Sequence, residues 1–95
     1  GHVLIDGTLS GNARMIETNI RALGFRLRDI QVILNTHAHF DHSGAIAALA
    51  KDTGARVRAS VAGAHELELG GADVDDPQYG TAKSSVCFTF GGYGP

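Results

Sequence analysis

Asp29-Ile30-Gln31-Val32-Ile33-Leu34-Asn35-Thr36 runs directly into His37-Ala38-His39-Phe40-Asp41-His42. The first part carries the continuous apolar run Val32-Ile33-Leu34. Such a run predicts a strand covered on both faces, as in a parallel sheet flanked by helices. The second part places three imidazoles and one carboxylate within six consecutive positions, a density of ligand-type side chains that core packing does not require. Histidine nitrogen and aspartate oxygen are both zinc donors. In an extended segment, side chains two apart project to the same side, which groups His37, His39 and Asp41. His42 falls where the chain is expected to turn into a helix, so it can point elsewhere and serve a neighbouring metal. In open α/β sheets, functional groups gather beyond the carboxyl ends of strands, and this motif begins at such an end.

Upstream, residues 2–6 form a short apolar run closed by Asp6-Gly7, which reads as a strand and a turn. A helix is expected over residues 12–23, with Ser10 or Asn12 as cap and Gly24 as stop. Ile16, Ile20 and Leu23 would form its buried stripe, and Arg14, Arg21, Arg26 and Arg28 read as solvated. Downstream, Ser43-Gly44 leads into a second helix over about residues 45–52. Ile46, Leu49 and Ala50 form its buried face, and Thr53-Gly54 stops it. The small residues Gly44, Ala45, Ala47 and Ala48 would let that helix lie close to the sheet. Residues 56–60 predict a third strand and residues 61–69 a short helix ended by Gly70-Gly71, with His65 as a surface residue on it. Alternation of strand and helix makes βαβ units and an α/β fold.

Ninety-five residues suffice for one small domain, and 43% hydrophobic content marks a globular chain. A net charge of −2 singles out no charged partner. No basic stripe suggests nucleic acid, and no long apolar run suggests a membrane. The chain opens inside a strand-like run without Met, which reads as a piece of a longer protein. The single cysteine, Cys87, has no internal disulfide partner and reads as a plain apolar position.

The spacing His-x-His-x-Asp-His resembles the metallo-β-lactamase superfamily of metal-dependent hydrolases. The flanks 1–7, 19–25 and 29–36, together with Gly70-Gly71 and the stretch 75–80, are similar to the third subclass of those enzymes. The resemblance spans residues 1–80 and leaves 81–95 as a divergent glycine-rich tail. It implies half of a four-layer αβ/βα sandwich. By the same resemblance, His37 and His39 hold one zinc and Asp41 and His42 a second, each ion taking a further histidine from later in a full-length protein. His42 itself favours the arrangement of histidines and aspartate over the cysteine-containing ones, and glyoxalase II-type thioesterases share it. Asp41 would also be catalytic, orienting a zinc-held hydroxide that attacks the amide carbonyl of a β-lactam. Asp6 would support the site, although a turn carboxylate accounts for it equally. The implied setting is a bacterial periplasm and the implied partner a small β-lactam, with antibiotic resistance as the outcome. Two other readings use the same residues: another hydrolase of the superfamily, such as a thioesterase or lactonase, and an incomplete metal-binding fragment without activity.

Overall fold

The computed structural model describes residues 1–69. The helix stop at Gly70-Gly71, the possible strand at 86–90, Cys87 and the glycine-rich tail lie outside the described residues. Strands β1 (His2–Ile5), β2 (Ile30–Leu34) and β3 (Arg56–Arg58) form one parallel sheet in the order β1-β2-β3. Helix α1 (Ala13–Ala22) connects the first pair. The helical turn α2 (Phe40–Ser43) and helix α3 (Ile46–Thr53) connect the second, and α4 (Val61–Glu68) follows β3. The expected βαβ architecture is therefore the one observed.

The register explains how a short sheet builds a core. His2 pairs with Ile30, but Val3 pairs with Val32, so β2 carries one extra residue at Gln31. Such a bulge changes which side chains face inward. Here Ile30 and Ile33, three apart, are both buried, while Gln31 is exposed. They join Ile20 of α1 and Ala45, Ile46 and Leu49 around α3, with Leu4, Ala13, Ile16 and Leu27 packed against that cluster.

The apolar run 32–34 predicted cover on both faces of β2. Among the described residues only one face is covered. Val3 and Ile5 are about 60% exposed and Leu34 41%. The reason is topological: strands added in one direction by crossovers of one hand place every connecting helix on the same side. One apolar face left open is what half of a four-layer sandwich should present.

Two local expectations also change. Leu23 is not part of the buried stripe; it is 75% exposed, because α1 ends at Ala22 and Gly24, at φ +92°, turns the chain away. Ala13 takes its place beside Ile16 and Ile20. Neither Ser10 nor Asn12 caps α1 with its side chain; Asn12 Nδ2 instead donates to Thr8 Oγ1 at 3.1 Å. The stop at Gly54 is as expected: its φ of +76° suits a residue without Cβ, and its N–H bonds Ala50 O at 2.9 Å. Among the described residues, no helix is long and apolar enough to cross a membrane.

Candidate metal centre

The donor motif is not extended throughout. Beyond β2 the chain stays open as far as His39, at φ −68° and ψ 151°, and then enters α2. Alternation therefore groups only His37 and His39, whose rings meet edge to face with centroids 4.9 Å apart. Asp41 and His42 lie in the helical turn. That turn brings the His42 ring back against His37, with centroids 4.0 Å apart, and sets His42 Nε2 3.8 Å from Asp41 Oδ2. His37 thus stands between the other two imidazoles. Partial desolvation, and then the neighbouring His42 and His39, lower its pKa below the usual 6.5. A lowered pKa keeps an imidazole neutral, which is the form that binds metal.

The turn is held by the loop after β1. Asp6 and Thr8 occupy the left-handed region, at φ +60° and +48°, a conformation uncommon for residues with a side chain. Gly7 N–H donates to His42 O at 2.7 Å, and Gly44 N–H donates to Thr8 O at 2.8 Å. Approach at Gly44 is so close that a Cβ would lie 2.5 Å from Ser10 N and 2.8 Å from Thr8 O. The small residue therefore serves this loop rather than the sheet. Of the other small residues expected against the sheet, Ala45 is buried but Ala47 and Ala48 are exposed. Buried Ser43 closes the loop from inside, its hydroxyl donating to Ala38 O at 2.8 Å.

Asp6 ties these pieces together. Its Oδ1 accepts from Thr36 N–H at 2.7 Å and from Asn35 Nδ2 at 3.1 Å. Its Oδ2 accepts from Thr36 Oγ1 at 2.6 Å and faces His42 Nδ1 at 3.1 Å. Burial alone would raise this carboxyl. The side-chain and backbone hydrogen bonds from Thr36, with those and the charge from His42, outweigh burial and hold it below its usual 3.8. An ionised Asp6 draws the His42 proton onto Nδ1 and leaves the Nε2 lone pair available. Of the two readings the sequence left for Asp6, the structure supports the one beside the motif.

His39 Nε2 lies 3.9 Å from Glu66 Oε1 of α4, both side chains being mostly buried. That places its Nδ1 on the opposite side of the ring. His65, next to Glu66, is exposed, as its sequence context suggested. Asn35, Thr36, Ser43 and Glu66 were not singled out in the sequence. Only the nearness of Asn35 and Thr36 to the motif could have marked them.

The donor chemistry fits zinc in pairs. Bonds of about 2.0–2.2 Å to one tetrahedral ion would set two donor atoms roughly 3.3 Å apart. The Asp41–His42 separation of 3.8 Å is within a small side-chain rotation of that. Among the described residues, no group of three or more His, Cys, Asp or Glu is arranged to hold an ion.

Comparison with known proteins places this geometry in context. The family model described as the metallo-beta-lactamase superfamily matches residues 1–88. A metal-dependent hydrolase of Rhizobium etli is 40% identical over 91 residues, covering 96% of this chain and 36% of its own length. Among solved structures, a Cronobacter sakazakii metallo-beta-lactamase with a HARLDQ motif is 51% identical. It covers 77% of this chain and 28% of its own, with a TM-score of 0.75. The metallo-beta-lactamase MIM-1 of Novosphingobium pentaromativorans is 46% identical. It covers 84% of this chain and 29% of its own, with a TM-score of 0.80. The chain spans about a third of the length of these relatives.

Proposed function

The chain belongs to the metallo-β-lactamase superfamily, and from that premise we propose that His37, His39, Asp41 and His42 are its share of a two-zinc hydrolytic site acting on β-lactams. The observation that carries this reading is the Asp6-held His42, its Nε2 turned toward Asp41. His37 and His39 would hold one ion, Asp41 and His42 the other. Zinc, when bound, supplies a hydroxide nucleophile near neutral pH and polarises the carbonyl under attack. Asp41 is half exposed, so a second carboxylate oxygen is available to accept a hydrogen bond from the attacking water and orient it. Asp6 keeps His42 in the tautomer that ligates, and the lowered pKa of His37 keeps that ring neutral.

The relatives bear on substrate. Solved relatives that are 46–51% identical are named metallo-beta-lactamases, which favours a β-lactam. The HARLDQ motif of the Cronobacter protein has Arg and Gln where the pattern in this chain gives His39 and His42, so the donors here are imidazoles. A second reading rests on the Rhizobium relative, named only as a metal-dependent hydrolase. In that case the same residues would act on another acyl carbonyl.

The test is zinc titration of the chain by calorimetry, followed by assays with a chromogenic cephalosporin, a glutathione thioester and an acyl lactone. Zinc uptake that falls on His37→Ala, with cephalosporin turnover lost in Asp41→Ala, is the expected result. Turnover of the thioester or lactone alone moves the reading to the second substrate class. Zinc uptake indifferent to both substitutions would remove the metal site itself.

A further inference from the structure

A different part of the molecule carries a different chemistry. Arg28, Arg56 and Arg58 line one open trough of about 420 Å³, with Ile30, Val32 and the amide-bearing Gln31. Arg28 precedes β2 and Arg56 pairs with Val32 near its middle, whereas Arg58 pairs with Leu34 at its carboxyl end; none of the four motif donors lines the trough. Among the described residues, no Asp or Glu lines it. The nearest acid in sequence, Asp29, is bound to Arg26 at 3.1 Å, and none of the three arginines forms an ion pair with a described residue. Three arginines lining one hollow, in a chain of net charge −2, concentrate positive charge on this part of the surface. Guanidinium is the side chain best shaped for oxyanions, because its planar fork gives paired N–H bonds to phosphate or carboxylate.

We propose that this trough is a binding site for a small phosphorylated organic anion. The guanidiniums of Arg28, Arg56 and Arg58 hold the phosphate, and the half-buried Val32 offers an apolar contact for the organic part. Phosphate is preferred over a single carboxylate because three forks outnumber the bonds that one carboxylate can accept. The site uses none of the metal donors, so it stands or falls separately from the hydrolytic reading.

The experiment is a titration of the metal-free chain with inorganic pyrophosphate at constant ionic strength. Binding is followed by calorimetry and by the arginine side-chain N–H resonances. Saturable one-to-one binding is expected, with the Arg28, Arg56 and Arg58 resonances moving together. Arg56→Gln should weaken it about tenfold, and the triple glutamine variant should abolish it. Arg14→Gln and Asp41→Ala should leave it unchanged. All three arginines are exposed, and amide dispersion checks that each variant is folded. Non-saturable binding, or equal weakening by Arg14→Gln, would show only general attraction between charges and overturn the proposal. So would binding that survives the triple variant.

Discussion

Asp6 and Glu17 are both partly buried carboxylates, and their surroundings move them in opposite directions. Asp6 sits where the ends of β1 and β2 meet, with donors from Asn35, Thr36 and His42 around it, and its pKa is lowered. Glu17 sits on α1 against Asp52 of α3. Hydrogen bonding with Asp52, then burial, then the charge of Asp52 raise its pKa, and its Oε1 is buried with no hydrogen-bond partner. Burial penalises both charges alike; what differs is the supply of donors. The chain concentrates donors at the rim that carries the metal motif and tolerates a mismatch in the seam between its helices.

The sharpest way to break this contrast is Asp6→Ala. It strips the acceptor from the Thr36 and Asn35 groups and releases His42. Losing four hydrogen bonds at once, those of Asn35 and His42 part-buried, costs about 2–4 kcal/mol, read as a lowered denaturant midpoint. Loss of a carboxylate that orients a ligating histidine lowers metal affinity by roughly 10–100-fold, read by zinc titration. Stability and zinc affinity both unchanged in Asp6→Ala would reduce Asp6 to a turn residue.

Gly44→Ala probes the same rim without touching a charge. The added methyl meets Ser10 N, Phe40 O and Thr8 O, all backbone atoms that cannot swing aside. Overpacking of this kind costs about 1–3 kcal/mol. Thermal melting of the variant checks it, with Gly11→Ala as control, because a Cβ at Gly11 meets nothing within 4 Å.

Asp6 and Gly44 both act through contacts distant in sequence. The order of strands and helices and the stops at Gly24 and Gly54 follow from local pattern, since turn glycines and apolar spacing act over a few residues; the alternation expected to group Asp41 with His37 and His39 ends at His39, because Asp41 lies in α2. Asp6 is different. It meets Thr36 and His42 from 30 and 36 positions away, so its role depends on β1 and β2 lying parallel. Leu23 fits the helical period and is still exposed, because Gly24 redirects the chain within one residue of it. The Gln31 bulge leaves no trace in an apolar run, yet it decides that Ile30 faces inward. Glu66 reaches His39 only through the placement of α4.

The pH dependence of stability separates the two carboxylates by sign. Asp6 has a folded pKa below 3.8, so its contribution is complete above 3.8 and is lost as pH falls through the lower folded value. Glu17 has a folded pKa above 4.5, so its contribution is present below 4.5 and is lost as pH rises through the folded value. Denaturation of the metal-free chain across this range should show Asp6→Asn flattening the acid limb. Glu17→Gln should remove the loss on the neutral side, raising stability near pH 7 by about 0.5 kcal/mol, the size of a relieved like-charge pair between neighbouring helix positions. Curves that shift in the same direction for both variants would contradict the opposite signs.

The smallest effect tests whether the donor-rich rim is uniform. Asp6 holds His42 at 3.1 Å, a hydrogen-bond distance, whereas Glu66 stands 3.9 Å from His39, beyond one. A carboxylate at that separation attracts an imidazolium without fixing a neutral ring. Glu66→Gln keeps the shape and removes the charge, so what it takes from His39 in the metal-free chain is a long-range attraction and no hydrogen bond between the two. Zinc affinity should fall by less than in Asp6→Ala. If Glu66→Gln matches Asp6→Ala in that titration, metal binding has drawn Glu66 into contact with His39, and both donor pairs rest on a carboxylate. If it leaves the affinity unchanged, the charge of Glu66 does not contribute to zinc binding at His39, and the two carboxylates differ in role.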